Sequence, residues 1–241
     1  MENKNHLELM AVILGICLII SSVWIGNAFY KVKGLDNTLS VTGSAKKQVV
    51  SDMVKWRSSF TRVVSEGNLK EGYAQMEKDI IIIKKFFADN KIDEKLINFP
   101  PLDVTQNYKY NDNSGSREYT LRQSIELQSP DIKGITSLAK NTKQIAQGGV
   151  IFTSDALEYY YSKLSDLRVT LLGDAVKDAV SRADVIAKSS GKKVGSIKSA
   201  SMGVVQVLPV NSIEVSDYGT YDTSSINKEV MVTVRAMFTM K

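Results

Sequence analysis

The chain has 241 residues, 43% of them hydrophobic and 24% charged, and 31 Lys and Arg against 26 Asp and Glu give a formal charge of +5. That apolar share supplies a real core and excludes a mainly disordered chain. The basic excess is dispersed in short pairs such as Lys46-Lys47, Lys84-Lys85 and Lys192-Lys193, whereas a nucleic-acid binder concentrates its charge in a stripe, so no nucleic-acid partner is expected.

His6 and Cys17 are the only histidine and cysteine. Everything after residue 30 therefore lacks the commonest general base, a thiol nucleophile and the soft metal ligands. The expectation is a protein without catalytic residues, cofactor or metal site. A body free of thiols is also safe in an oxidising compartment.

Residues 1–8 form a short tail, and from Leu9 to Tyr30 no residue is charged. Twenty-two residues at about 1.5 Å each reach about 33 Å, enough for a hydrocarbon core of about 30 Å. Trp24, Phe29 and Tyr30 cluster toward the distal end, where amphipathic rings favour the interface. The stretch 9–30 is thus expected to be one transmembrane anchor. The rival is a signal peptide cleaved near Gly26-Asn27-Ala28, but the apolar run is longer than such a core and its flank is barely basic. Ile16 before Cys17 argues against a lipoprotein.

After a connector, 31–37, the body is expected over 38–241 as an α+β domain. Thr38 to Ala45 and Val50 to Val64 read as strands, the second with Val54, Trp56, Ser58 and Phe60 on one face and Lys55, Arg57, Ser59 and Thr61 on the other. Leu69, Tyr73, Met76, Ile80, Ile83 and Phe87 recur at helical steps, which predicts an amphipathic helix ending near Asn90. Val104 to Tyr110 and Tyr119 to Leu127 are expected to pair around Asn111-Asp112-Asn113-Ser114-Gly115. Ser129-Pro130-Asp131 opens a short helix that runs to about Ala146 and stops at Gly148-Gly149.

The second half repeats the order, with a strand from Val150 to Tyr161, a helix from about Leu164 to Ser190, and strands near Val194 to Val210 and Val230 to Met240. Two strand-helix-strand-strand halves predict antiparallel sheet packed with helices. Val215 to Ser225 reads as an exposed loop.

Within the long helix, Ala175, Ala179, Ala183 and Ala187 repeat at a spacing of four, closed by Gly191 and followed by Lys192-Lys193-Val194-Gly195. Small side chains along one stripe let another backbone lie close. A glycine after the last alanine stops the helix before a new strand. This pattern, A-x3-A-x3-A-x3-A-x3-G-x3-G and then an alternating strand, resembles the carboxy-terminal half of the SIMPL-domain family of bacterial envelope proteins. Val41-Thr42-Gly43-Ser44-Ala45 resembles the family's opening strand. Asp52 falls where the family often has Pro-Asp, with Ser51 in place of the proline.

The resemblance implies a body outside the cytoplasm on a single cytoplasmic-membrane span, assembling into large homo-oligomers, in some relatives with links to stress defence. It carries no catalytic residue over. Charge alone argues for the opposite topology, because Lys4 and the terminal amine stand against Lys31, Lys33, Lys46 and Lys47; long domains, however, translocate largely regardless of charge. The function expected is a non-enzymatic, self-assembling envelope scaffold, with a ligand- or peptide-binding module as the alternative.

Other constellations read as structural. Gly191-Lys192-Lys193 lacks the leading glycine of a phosphate loop, since Ile186 stands there, and has Lys193 for the Ser/Thr. Tyr159-Tyr160-Tyr161 cannot all line one pocket from a regular strand. Asp103, Asp112, Asp217 and Asp222 match no calcium loop. No G-x-S-x-G or S-x-x-K context singles out a serine, and Ser162-Lys163 has the wrong spacing for one helix face.

Overall fold

The computed structural model describes residues 2–34, 37–107, 117–213 and 216–241 and, within the first helix, the side chains of 10 and 12–30. The elements in chain order are α1 (Glu2–Gly34), β1 (Thr38–Val50), β2 (Met53–Ser65), α2 (Leu69–Asp89), β3 (Ile97–Asn98), β4 (Asp103–Asn107), β5 (Glu118–Ser129), α3 (Ile132–Ala139), α4 (Lys143–Gln147), β6 (Ile151–Ser154), β7 (Glu158–Tyr160), α5 (Leu164–Ser189), β8 (Val194–Met202), β9 (Gln206–Pro209) and β10 (Asn227–Met240). This is the α+β order the sequence predicts. The expected turn at Asn111 to Gly115 lies outside the described residues.

Within α1, Val12–Tyr30 is long and apolar enough to cross a membrane. A signal sequence meets the same condition.

The chain divides into two compact units, one of Met1–Ala45, Val169–Val204 and Val232–Lys241 and the other of Lys46–Arg168 and Val205–Met231. In the second, β2 is the central strand. It pairs antiparallel with β5 from Val54↔Ser129 to Ser65↔Glu118 and on its other side with β6 and β7. Beyond β5 lie β3 and β4.

The period-2 alternation of β2 sends Val54, Trp56 and Phe60 into a core with Leu121, Ile125 and Leu127 of β5 and Met76, Ile83, Phe86 and Phe87 of α2. Trp56 stands edge-on to Phe87 at 5.9 Å and to Phe152 at 6.2 Å, a favoured aromatic geometry. Its indole Nε1 donates to Ser154 Oγ at 2.9 Å.

Four details depart from the sequence reading. The buried face of α2 runs through Gly72, Met76, Asp79, Ile83, Phe86 and Phe87, leaving Tyr73 45% exposed. The helix after Pro130 is two helices, α3 and α4. Asp131 caps α3, its side chain accepting from Gly134 N, so Pro130 precedes the cap and does not occupy the first turn. Val150 to Tyr161 breaks into β6 and β7, and Val194 to Val210 breaks into β8 and β9.

The first unit contains the sheet segments of β1, β10 and β8, in the order β1-β10-β8, and most of α5. β8 and β10 pair antiparallel, Val234↔Met202 through Met240↔Val194, with register shifts around Phe238. Val41, Ala179, Ala183, Ala236 and Phe238 form its buried cluster.

Candidate functional site

The alanine ladder lies in the first unit. Ala175, Ala179 and Ala183 are wholly buried and Ala187 is 1% exposed. What lies against them is the backbone of β1 at Gly43. A Cβ there would overlap the Ala175 carbonyl oxygen and the Ala179 amide nitrogen and lie 2.8 Å from Ala179 Cα. Only glycine against alanine allows two backbones this close.

The crossing is fixed by a hydrogen bond. Ser44 N donates to Asp178 Oδ2 at 2.8 Å, and Arg182, one turn on, pairs with the same oxygen at 2.8 Å. The Ser44 amide foremost, and then Arg182, hold the Asp178 carboxyl below its usual range.

The ladder's end is equally specific. Gly191 has φ +70; its N–H donates to Lys188 O at 3.1 Å and Lys192 N–H donates to Ala187 O at 2.9 Å, which is a Schellman stop. At Gly195 a Cβ would overlap Thr239 Oγ1, so this glycine serves the close β8–β10 pairing. All six ladder residues thus have structural roles.

The second unit gathers the polar chemistry. On the sheet face turned away from α2, charges alternate across the strands. Lys55 Nζ stands 3.7 Å and Arg57 Nε 3.9 Å from Glu126, and Arg57 Nη1 lies 2.7 Å from Glu158. Tyr160 donates its hydroxyl to Glu158 and its ring lies 5.8 Å from Tyr221. The Glu158 hydrogen bond, with burial second, pushes the Tyr160 hydroxyl up to about 12.

Strand alternation divides the tyrosines as expected: Tyr159 turns to the core, 7% exposed, with its hydroxyl 3.1 Å from Thr136 Oγ1. Ser162 is engaged by Asp52, whose carboxylate accepts from Ser162 N at 2.7 Å and from its hydroxyl at 2.6 Å. That pair secures the entry to α5.

Tyr221 belongs to the segment read from sequence as an exposed loop. The description fits Asp217, Tyr218, Tyr221 and Ser224, which are exposed, while backbone hydrogen bonds tie part of the loop to its neighbours. Val207 N donates to Thr220 O at 2.7 Å, Asp222 N to Val207 O at 2.8 Å and Tyr159 N to Thr223 O at 2.7 Å, so the loop at 220–223 is held between β9 and β7 by an isolated parallel bridge, Val207↔Tyr221, and by backbone hydrogen bonds. Asp222 anchors it. Its side chain is 8% exposed and accepts from Ser224 N at 2.9 Å and Ser224 Oγ at 2.7 Å, from the Ser225 hydroxyl, and from Lys228 Nζ at 3.5 Å.

Lys228 is wholly buried, and its ammonium also donates to the Asp222 carbonyl. Burial pulls the Lys228 amine down and the Asp222 carboxylate partly offsets this. At Asp222 burial pushes upward, but the hydrogen bonds from Ser225 and Ser224 and the nearby ammonium outweigh it and hold the carboxyl at about 2.

Ser225 and Lys228 stand in S-x-x-K spacing, one of several occurrences in the chain, and here the lysine is buried. The signal was available: with period 2, Lys228 shares a face with Val230, Val232 and Val234. Chemically the cluster is a clamp, because amine and hydroxyl converge on one carboxylate and leave no free base.

The remaining acidic candidates do not converge. Asp103 Oδ2 accepts from Thr105 Oγ1 at 3.2 Å, and Asp112 lies outside the described residues. Among the described residues no group of three or more His, Cys, Asp or Glu is placed to hold a metal ion. Asp79, unsuspected from sequence, is buried on α2 and holds Arg62 in a bidentate pair at 2.7 Å and 2.7 Å. The same guanidinium donates to Gly149 O at 2.9 Å.

An antiparallel α+β body behind one apolar N-terminal helix, closed by a ladder of small residues, defines the class. The chain belongs to the SIMPL family, described as "protein of unknown function (DUF541)", whose profile matches residues 39–238. No curated protein matches it.

Proposed function

We propose that the protein is a non-enzymatic scaffold, held in the cytoplasmic membrane by α1, whose body self-associates outside the cytoplasm. The observation that carries this reading is the β8 edge. β8 ends its sheet, runs for nine residues and is exposed from Ser196 to Met202, with Ile197 at 45% and Met202 at 56%. A long edge with apolar side chains is a template for pairing with another chain; Lys198 and the register shifts opposite Phe238 interrupt this edge at its middle, which leaves Ser199 to Met202 as its regular paired stretch. The placement outside the cytoplasm and the link to stress defence rest on the family likeness alone.

Ile197→Lys with Met202→Lys tests the edge. Exposed substitutions of this kind change stability by no more than about 0.5 kcal/mol, so the expected result is an intact fold that no longer associates. A variant that keeps the parent's mass in detergent overturns the role of β8.

The alternative, a peptide-binding module, is favoured by β3 and β4, which pair among the described strands only with β5 and so offer an edge for strand addition.

A further inference from the structure

The second unit has a groove of about 350 Å³ between the C-terminal end of α2 and the helices α3 and α4. Its size lies at the lower end of small-ligand sites. We propose that this groove binds a neutral acetamido sugar of one or two rings.

The floor is apolar, made by Phe86, Ile92 and Leu138; Phe86 and Leu138 are buried members of the core and Ile92 packs on it. The walls are hydrogen-bonding and almost free of charge: three amides, Asn90, Asn141 and Gln144, one hydroxyl, Ser137, and one carboxylate, Asp131. No lysine or arginine lines the groove, so an anion finds no counter-charge. Asp131 is already engaged as the cap of α3, with Gly134 N donating to its Oδ1 at 2.9 Å.

The amides keep spare capacity. Asn90 Nδ2 donates to Phe86 O at 2.8 Å, which leaves its Oδ1 and a second N–H. Gln144 Nε2 donates to Asp89 Oδ2 at 2.9 Å, which leaves its Oε1. The Asn141 side-chain amide and the Ser137 hydroxyl make no hydrogen bond to a described residue. An amide both donates and accepts, and so does a hydroxyl. The ligand that matches presents the same pair of functions, an acetamide and ring hydroxyls, with a methyl group and ring C–H faces for the floor. The inference stands apart from self-association, since every group it uses belongs to one copy of the second unit.

The test uses the full chain in a zwitterionic detergent without a sugar headgroup. Saturation-transfer NMR with N,N′-diacetylchitobiose is expected to show saturable binding, with the strongest transfer to the acetamido methyls. Ser137→Ala with Asn141→Ala removes two ligand hydrogen bonds and is expected to weaken binding about tenfold while the melting temperature stays within about 2 °C. Ser137→Tyr, which fills the groove from an exposed position, is expected to block binding. No saturable binding, equal binding by both variants, equal binding of cellobiose, or binding of tetra-alanine in place of the sugar each overturns the proposal.

Discussion

Gly43→Ala probes the closest approach of a glycine to another element's backbone among the described residues. The new Cβ would lie 2.8 Å from Ala179 Cα and overlap Ala175 O and Ala179 N, against a carbon–carbon optimum of about 3.5–4.0 Å. All three obstacles are helix backbone with no rotamer to yield, so β1 must withdraw by about 1 Å. Overpacking of this kind costs about 1–3 kcal/mol. A 1 Å withdrawal also takes Ser44 N, now 2.8 Å from Asp178 Oδ2, beyond hydrogen-bond range, which places the cost toward the upper figure. For a body of this size 1 kcal/mol moves Tm by about 2–4 °C, so a fall of about 6–12 °C is expected. Differential scanning calorimetry reads it, because Gly43 lies in the first unit and Trp56, the tryptophan outside the anchor, in the second. Gly173→Ala is the control: it lies inside α5 with nothing within 4 Å of the new Cβ and should raise stability by about 0.5–1 kcal/mol. A Gly43→Ala protein that melts within 1–2 °C of the parent, alongside a Gly173→Ala that behaves as expected, would refute the close-approach reasoning.

Arg62→Met strands the buried Asp79 carboxylate and should destabilise by about 3–5 kcal/mol in urea unfolding, with Asp79→Asn in the same chain recovering part of the loss. The Asp222 carboxyl, held at about 2 when folded against about 3.9 when unfolded, gives stabilisation that is full above the unfolded value and is lost as pH falls from about 4 to 2. This is worth on the order of 2 kcal/mol, and an Asp222→Asn chain whose acid limb keeps the parent's slope would contradict it. Tyr160, raised to about 12 from about 10, contributes stability that is present below pH 10 and lost as pH rises through 12. In a spectrophotometric titration the late phenolate step should vanish with Tyr160→Phe.

The ladder was legible because its meaning lies in spacing: four alanines at steps of four and a glycine stop require no knowledge of the partner. The partner itself was only half legible. Gly43 was visible as part of a motif, but the overlap that forbids a Cβ depends on how far β1 lies from α5, a tertiary distance that no local pattern carries. Of the predicted α2 face, Leu69, Met76, Ile80, Ile83 and Phe87 lie in or against the core and only Tyr73 turns out; Asp79 was missed there because a carboxylate reads as solvent-facing until Arg62 from β2 reaches it. The breaks at Asp155 to Leu157 and at Gly203 escaped for a similar reason: both flanks keep strand composition, and the interruption is set by pairing with β2 and β10. At Lys228 the alternation of β10 did point inward, yet residue type outweighed phase, since a lysine is almost never fully buried unless paired. Its partner, Asp222, stood in a stretch whose composition signals a turn. The groove beside α3 was invisible in sequence, because its polar residues come from α3, α4, the end of α2 and the α3 cap and α3–α4 link, and none is unusual in its own segment.

The central claim is that the anchored body associates with itself, and the mass of the full chain in detergent, with bound detergent subtracted, tests it most directly. The account predicts one discrete species at a whole-number multiple, greater than one, of the 26.7 kDa chain, retained on dilution to micromolar concentration. A single species at 26.7 kDa would contradict it.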